Sequence, residues 1–143
     1  MQESFPLPHK PIAQGEHILV VDDTPAMANL IAGYLREAGY TVEIVHSAEE
    51  AWESLLQKLP ILIIVDDFLP GIDGYKLCSF ISKLSYQTSY WLDRIIIADQ
   101  QPINDLRIYG RWPLFTYFLI KPFNPKELLA FVRRIVATER YWI

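Results

Sequence analysis

"ILIIVDDFLPGIDGY", residues 61–75, decides how this chain is read. Five apolar residues run without alternation into two aspartates, Asp66 and Asp67, and Pro70-Gly71 and Asp73-Gly74 follow. A strand that is apolar on both faces belongs to a parallel sheet covered by helices on each side. The adjacent carboxylates at its end need a chemical reason. The same ending occurs in "HILVVDDTP", residues 17–25, where Asp22 and Asp23 close another branched apolar run.

Outward from these two strands the chain alternates. "TVEIV" (41–45), "RIIIA" (94–98) and "TYFLI" (116–120) read as three further strands. Between the first and second, Met27, Leu30, Ile31, Tyr34 and Leu35 recur at helical spacing, and Gly39 closes the helix. The next helix opens with a capping box, Ser47 with Glu50, and presents Ala51, Trp52, Leu55 and Leu56. A third helix is expected over about 75–84. The last helix starts at "NPKE", with Asn124 as cap, Pro125 in the first turn and Glu127 at the boxing position. Leu128, Leu129, Val132, Ile135 and Val136 form its packing face. Five strands alternating with about five helices imply an α/β fold with a doubly wound five-stranded parallel sheet. Such sheets place their sites beyond the carboxyl ends of the strands. Asp22, Asp23, Asp66, Asp67 and Lys121 all stand there.

The composition narrows the function. The chain has 143 residues, 51% of them hydrophobic, and a net charge of -4. One domain with a real core is expected, and the acidic balance does not support a nucleic-acid surface, with the adjacent Arg133 and Arg134 leaving room only for a small basic patch. Cys78 is the one cysteine, so neither an internal disulfide nor a cysteine metal cluster is open to the chain, and a reducing cytoplasm fits. No apolar run is long enough for a membrane span. Residues 1–15 read as a proline-bearing N-terminal extension, extended or packed along the surface, ahead of a domain over 16–143. "DDTPAMANL" lacks glycine, and no GxxxxGK(S/T) occurs, so the dinucleotide and P-loop versions of the architecture are disfavoured. His9, His17 and His46 are scattered without a second histidine at ligand spacing and read as surface or strand-edge residues.

Carboxylates gathered in one crevice repel one another unless a cation joins them. Oxygen donors at that density suit Mg²⁺. An aspartate can also act as a nucleophile toward phosphorus, with the metal and a lysine balancing the charge. On this reading Asp66 is the acceptor, Asp22 and Asp23 are the metal-binding pair, and Lys121 neutralises the added phosphate.

The segments "ILVVDDTP", "IIVDDFLPGIDGY" and "FLIKPFNPKELL" resemble the receiver domains of two-component response regulators, of the chemotaxis-regulator type. The likeness covers about residues 16–138. It implies a flavodoxin-like fold of strand order 2-1-3-4-5. It also implies that Asp66, four residues before Pro70, takes phosphate rather than Asp67. Mg²⁺ would be held by Asp23, Asp66 and the main-chain carbonyl of Phe68, with Asp22 acting mainly through water, and the Lys121-Pro122 bond would be cis. The implied partners are a histidine kinase or phosphotransfer protein and a downstream protein or covalently linked output domain. A homodimer through the face of the fourth helix, fifth strand and fifth helix is a further option. The chemistry would be self-phosphorylation with slow self-hydrolysis, not turnover of a metabolite.

Two places depart from the family. The strand-four Ser or Thr falls on Ala98 by strand reading and on Asp99 by counting 22 residues back from Lys121. Neither carries a hydroxyl. The aromatic switch position falls on Phe118. "PINDLRIYGRWPLFTYF" is an irregular substitute for the fourth helix, bracketed by Pro102 and Pro113, with Tyr109, Trp112 and Tyr117 near Trp91 adding aromatic area. These departures favour the alternative of a pseudo-receiver that works as a phosphorylation-independent interaction module. A haloacid-dehalogenase hydrolase would need a DxD after the first strand, and "VVDDTP" does not supply it.

Overall fold

The decisive run forms a strand, Leu62–Asp66, with every residue buried. Its side chains alternate between two cores: Ile63 and Val65 enter one, Leu62 and Ile64 the other. The absence of alternation in the sequence therefore has a plain cause, since both faces of the sheet are covered. The computed structural model describes residues 8, 10–66, 69, 74–88, 92–98 and 116–137.

The elements in chain order are β1 (Ala13–Gln14), β2 (Ile18–Val21), α1 (Pro25–Glu37), β3 (Val42–Val45), α2 (Ala48–Gln57), β4 (Lys58–Leu59), β5 (Leu62–Asp66), α3 (Gly74–Thr88), β6 (Asp93–Ala98), β7 (Thr116–Ile120) and α4 (Pro125–Ala137). Five strands form one parallel sheet in the order β3-β2-β5-β6-β7. Residues of α2 and α3 pack with Leu19, Val21, Ile63 and Val65 on one face. Residues of α1 and α4 pack with Ile18, Val20, Ile95, Ile97 and Leu119 on the other.

The sequence reading anticipates a single sheet, and the described residues form two. β1 and β4 form a separate parallel pair, with Gly15 N–H donating to the Leu59 carbonyl at 2.7 Å. The end of the N-terminal lead is thus hydrogen-bonded to the body, and Ile12 packs against the α2–α3 core. A Cβ at Gly15 would meet the Lys58 side chain at 2.5 Å and the His17 ring at 2.6 Å, so both side chains would have to shift to admit one.

Three further expectations are corrected. Leu30 does not join the core and is 46% exposed; Ala28, Ile31, Ala32 and Leu35 bury the inner face of α1 instead. Small alanines at that stripe bring the helix close to the sheet, and Leu30 falls on the adjoining, outer stripe. Second, α3 continues to Thr88, four residues past the end anticipated at about 84. Third, Asp66 does not follow its strand but is its last paired residue, opposite Ile97.

Helix ends are where the sequence reads most directly. Ser47 Oγ accepts from Glu50 N–H at 3.0 Å, and Asn124 Oδ1 accepts from Glu127 N–H at 2.8 Å. At the end of α1, Gly39 N–H donates to the Arg36 carbonyl and Tyr40 N–H to the Leu35 carbonyl, both at 3.0 Å, with Gly39 at φ 100°. That double bond pattern requires a left-handed residue after the cap. Gly39→Ala is expected to lower stability by about 1 kcal/mol through the Cβ clash in this conformation, read as a lower urea midpoint with an unchanged slope.

Candidate functional site

Two strand ends bring the carboxylates together. β2 and β5 are adjacent and in register, Val21 opposite Val65, so Asp22 and Asp66 emerge side by side. One carboxylate oxygen from each of Asp22, Asp23 and Asp66 lies within 4.8 Å of the others. Asp22 is 1% exposed and Asp66 7%, while Asp23 is open to solvent. Lys121, just past β7, places Nζ 3.6 Å from Asp66 Oδ1. The Lys121-Pro122 peptide is cis.

Asp22 is held by its own carboxyl. Its Oδ1 accepts from Thr24 N–H at 2.9 Å. Its Oδ2 is buried and has no hydrogen-bond partner among the described residues. A buried ionised oxygen left bare is costly. Burial pushes the Asp22 carboxyl up to about 6; the Thr24 N–H opposes the rise, Asp66 adds to it, Lys121 counters it, and Asp23 adds to it.

This donor set suits a hard divalent cation. It is all oxygen, it concentrates negative charge at one point, and its orphaned oxygen gains a partner when a cation is present. The cluster is therefore able to hold a metal ion, and the three residues named from the sequence are brought together as anticipated.

Other anticipated residues are placed less completely. Asp67, Phe68 and Asp99 lie outside the described residues, as do Trp91, Tyr109, Trp112 and the segment 99–115. Ala98 ends β6 with Ile120 as its Cα partner. Phe118 is half-buried against the α2–α3 core, and Tyr117 meets Phe131 edge-on at 5.9 Å on the other face. Cys78, the one cysteine, is fully buried as a small core side chain. His46 is exposed, yet its Nδ1 lies 2.9 Å from the Asp22 carbonyl. Sequence reasoning missed that contact, because a lone histidine after an edge strand gives no spacing signal.

At the opposite end of the sheet a cleft of about 390 Å³ is lined by Glu16, His17, Glu43, Ser54 and Lys58 among others. His17 sits 3.6 Å from Glu43, and burial lowers the pKa of its ring, with Glu43 opposing and Lys58 reinforcing. The cleft takes no part in the acidic cluster. No helix among the described residues is long and apolar enough to cross a membrane.

Known proteins are similar to this chain in sequence and in fold. The chain is 32% identical over 130 residues to the response regulator Rre1 of Synechocystis sp., covering 90% of this chain and 55% of that protein. It is 31% identical over 120 residues to the transcriptional regulatory protein BaeR of Escherichia coli, covering 83% of this chain and 47% of that protein. The chain thus spans about half the length of these curated relatives. Among solved structures it is similar to the signal receiver domain of a signal transduction histidine kinase from Syntrophus aciditrophicus. That match has a TM-score of 0.74 and 27% identity, over 90% of this chain and 98% of the other. Residues 18–133 match the model of the response regulator receiver domain, and the chain belongs to that family.

Proposed function

We propose that Asp66 accepts a phosphoryl group from a histidine kinase or phosphotransfer protein in an Mg²⁺-dependent reaction, and that the change regulates a downstream protein or a linked output domain. The observation that carries this reading is the convergence of three carboxylates within 4.8 Å, one of them buried with a bare oxygen, beside the Lys121 ammonium. Asp22, Asp23, Asp66 and the Phe68 carbonyl would hold the ion. When bound, it would supply charge neutralisation that lets an anionic carboxylate approach an anionic phosphoryl group.

The chain's own groups do the rest. A carboxylate oxygen of Asp66 attacks phosphorus, a new O–P bond forms, and the bond to the donor's imidazole nitrogen breaks with the imidazole leaving. Lys121, already 3.6 Å from Asp66, pairs with a phosphoryl oxygen. Water later cleaves the acyl phosphate slowly. We read residues 16–143 as the receiver unit and 1–15 as its extension, in a cytoplasmic protein, with β7 and α4 contributing to the output or dimer face. The order β3-β2-β5-β6-β7 supports the flavodoxin-like connectivity of receivers.

A second reading has one observation in its favour. β6 ends on Ala98, next to the strand that leads into Lys121, and alanine has no hydroxyl with which to grasp a phosphoryl group. That suits an interaction module with a receiver's shape. Intact-mass measurement after incubation with acetyl phosphate separates the two. One added phosphoryl group with Mg²⁺ and none with EDTA is expected for the phosphoacceptor. No uptake from acetyl phosphate, phosphoramidate or a partner kinase would overturn it in favour of the module.

A further inference from the structure

The loop carrying Asp22 and Asp23 is gripped by the turn that leads into α2. Asp22 N–H donates to the Val45 carbonyl at 3.1 Å, and the Asp22 carbonyl faces His46 Nδ1 at 2.9 Å. A carbonyl oxygen only accepts, so that ring nitrogen carries the proton. In the neutral imidazole, Nε2 is then bare.

His46 is itself anchored. Its N–H donates to Glu50 Oε1 at 2.7 Å, while Glu50 N–H donates to Ser47 Oγ at 3.0 Å. In a capping box the acid returns to the N–H of the cap residue. Here Glu50 reaches one residue further back, to His46. The chain of contacts runs from the first turn of α2 through Glu50 and His46 to the peptide of Asp22. Thr24 N–H then fixes the carboxyl of the same residue at 2.9 Å. Both the main chain and the side chain of Asp22 are set before any cation arrives, and groups that orient a ligand residue in this way commonly govern metal affinity.

Resting on the phosphoacceptor reading above, we infer that His46 is a positioning residue for the Mg²⁺-binding acidic pair. It acts through the Nδ1–H bond to the Asp22 carbonyl, with Glu50 holding His46 in turn.

Two measurements on the full chain test this. Long-range proton–nitrogen NMR correlations should show neutral His46 in the Nδ1–H tautomer; the Nε2–H tautomer would overturn the assignment. Mg²⁺ titration should show about tenfold weaker binding in His46→Ala and His46→Gln. His46→Asn, whose amide reaches the place of Nδ1, should stay within about twofold of wild type. A merely structural role would not sort Asn from Gln, so the pair remains informative even if the alanine variant fails to fold. Equal Mg²⁺ affinity in the folded variants, or Asn no better than Gln, would overturn the inference while leaving the phosphoacceptor intact. A wild type that binds no Mg²⁺ would overturn both.

Discussion

Asp66→Asn is expected to take up no phosphate under conditions that add one phosphoryl group to wild type. The rate from acetyl phosphate should fall at least about 100-fold, because the amide oxygen is a far weaker nucleophile than the carboxylate it replaces. The geometry supports this position. Asp66 is the last paired residue of β5, so its main chain is held opposite Ile97. Its carboxylate is largely buried, stands within the acidic cluster and has Lys121 Nζ at 3.6 Å. Asparagine keeps the volume and the backbone pairing, so loss of uptake would report chemistry rather than unfolding. Intact mass on wild type, Asp66→Asn and Asp67→Asn decides the register. Uptake that survives in Asp66→Asn and disappears in Asp67→Asn would move the acceptor by one residue.

The second large effect concerns stability. The folded protein holds the Asp22 proton up to about pH 6, whereas the unfolded chain releases it near 3.8. Across that window the native state binds more protons than the unfolded one. Stability contributed by this group is therefore lost as pH rises from about 4 to about 6. A shift of this size corresponds to a deficit on the order of 3 kcal/mol at neutral pH. Asp22→Asn removes the buried charge, keeps an oxygen for Thr24 N–H and places an amide where Oδ2 was bare. Without divalent cations it should be more stable than wild type near neutral pH by up to about 3 kcal/mol, and the advantage should vanish near pH 4. Mg²⁺ should narrow the gap by stabilising wild type alone. Urea unfolding of both proteins, with EDTA and with Mg²⁺, measures this. Parallel pH curves for the two proteins would show that the Asp22 charge is not what opposes folding there.

Much of this was legible in the residues, and the exceptions have physical causes. The buried strands were plain, because a run such as Leu62 to Val65 is too short for a helix and suits a sheet covered on both faces. Ser47 and Asn124 declared their helices through chemistry confined to four residues. The acidic cluster was legible because strand ends in a parallel sheet share one edge. β1 and β4 were not, since two-residue strands have no periodicity and Ala13 meets Lys58 only after the chain has folded. The extension of α3 was hidden by polar residues. Ser85, buried at 2%, looks like loop in a list of residue types and like core in the helix. Leu30 misled because size was counted where closeness mattered. His46 was passed over for the same non-local reason as β1: its partner lies 24 residues earlier, in a peptide group that no side-chain motif records.

The ion pair between Asp66 and Lys121 joins β5 to β7, two strands that are not neighbours. It works as a strut laid across the end of β6, which lies beneath it as the middle strand. A group added at Asp66 lengthens that strut. On the phosphoacceptor proposal the far end of that strut stands where the chain leaves β7, one residue after Ile120. The proposal thus gives a receiver whose β6 ends on Ala98 a route toward the loop before α4 that passes through Lys121 and not through a β6 hydroxyl.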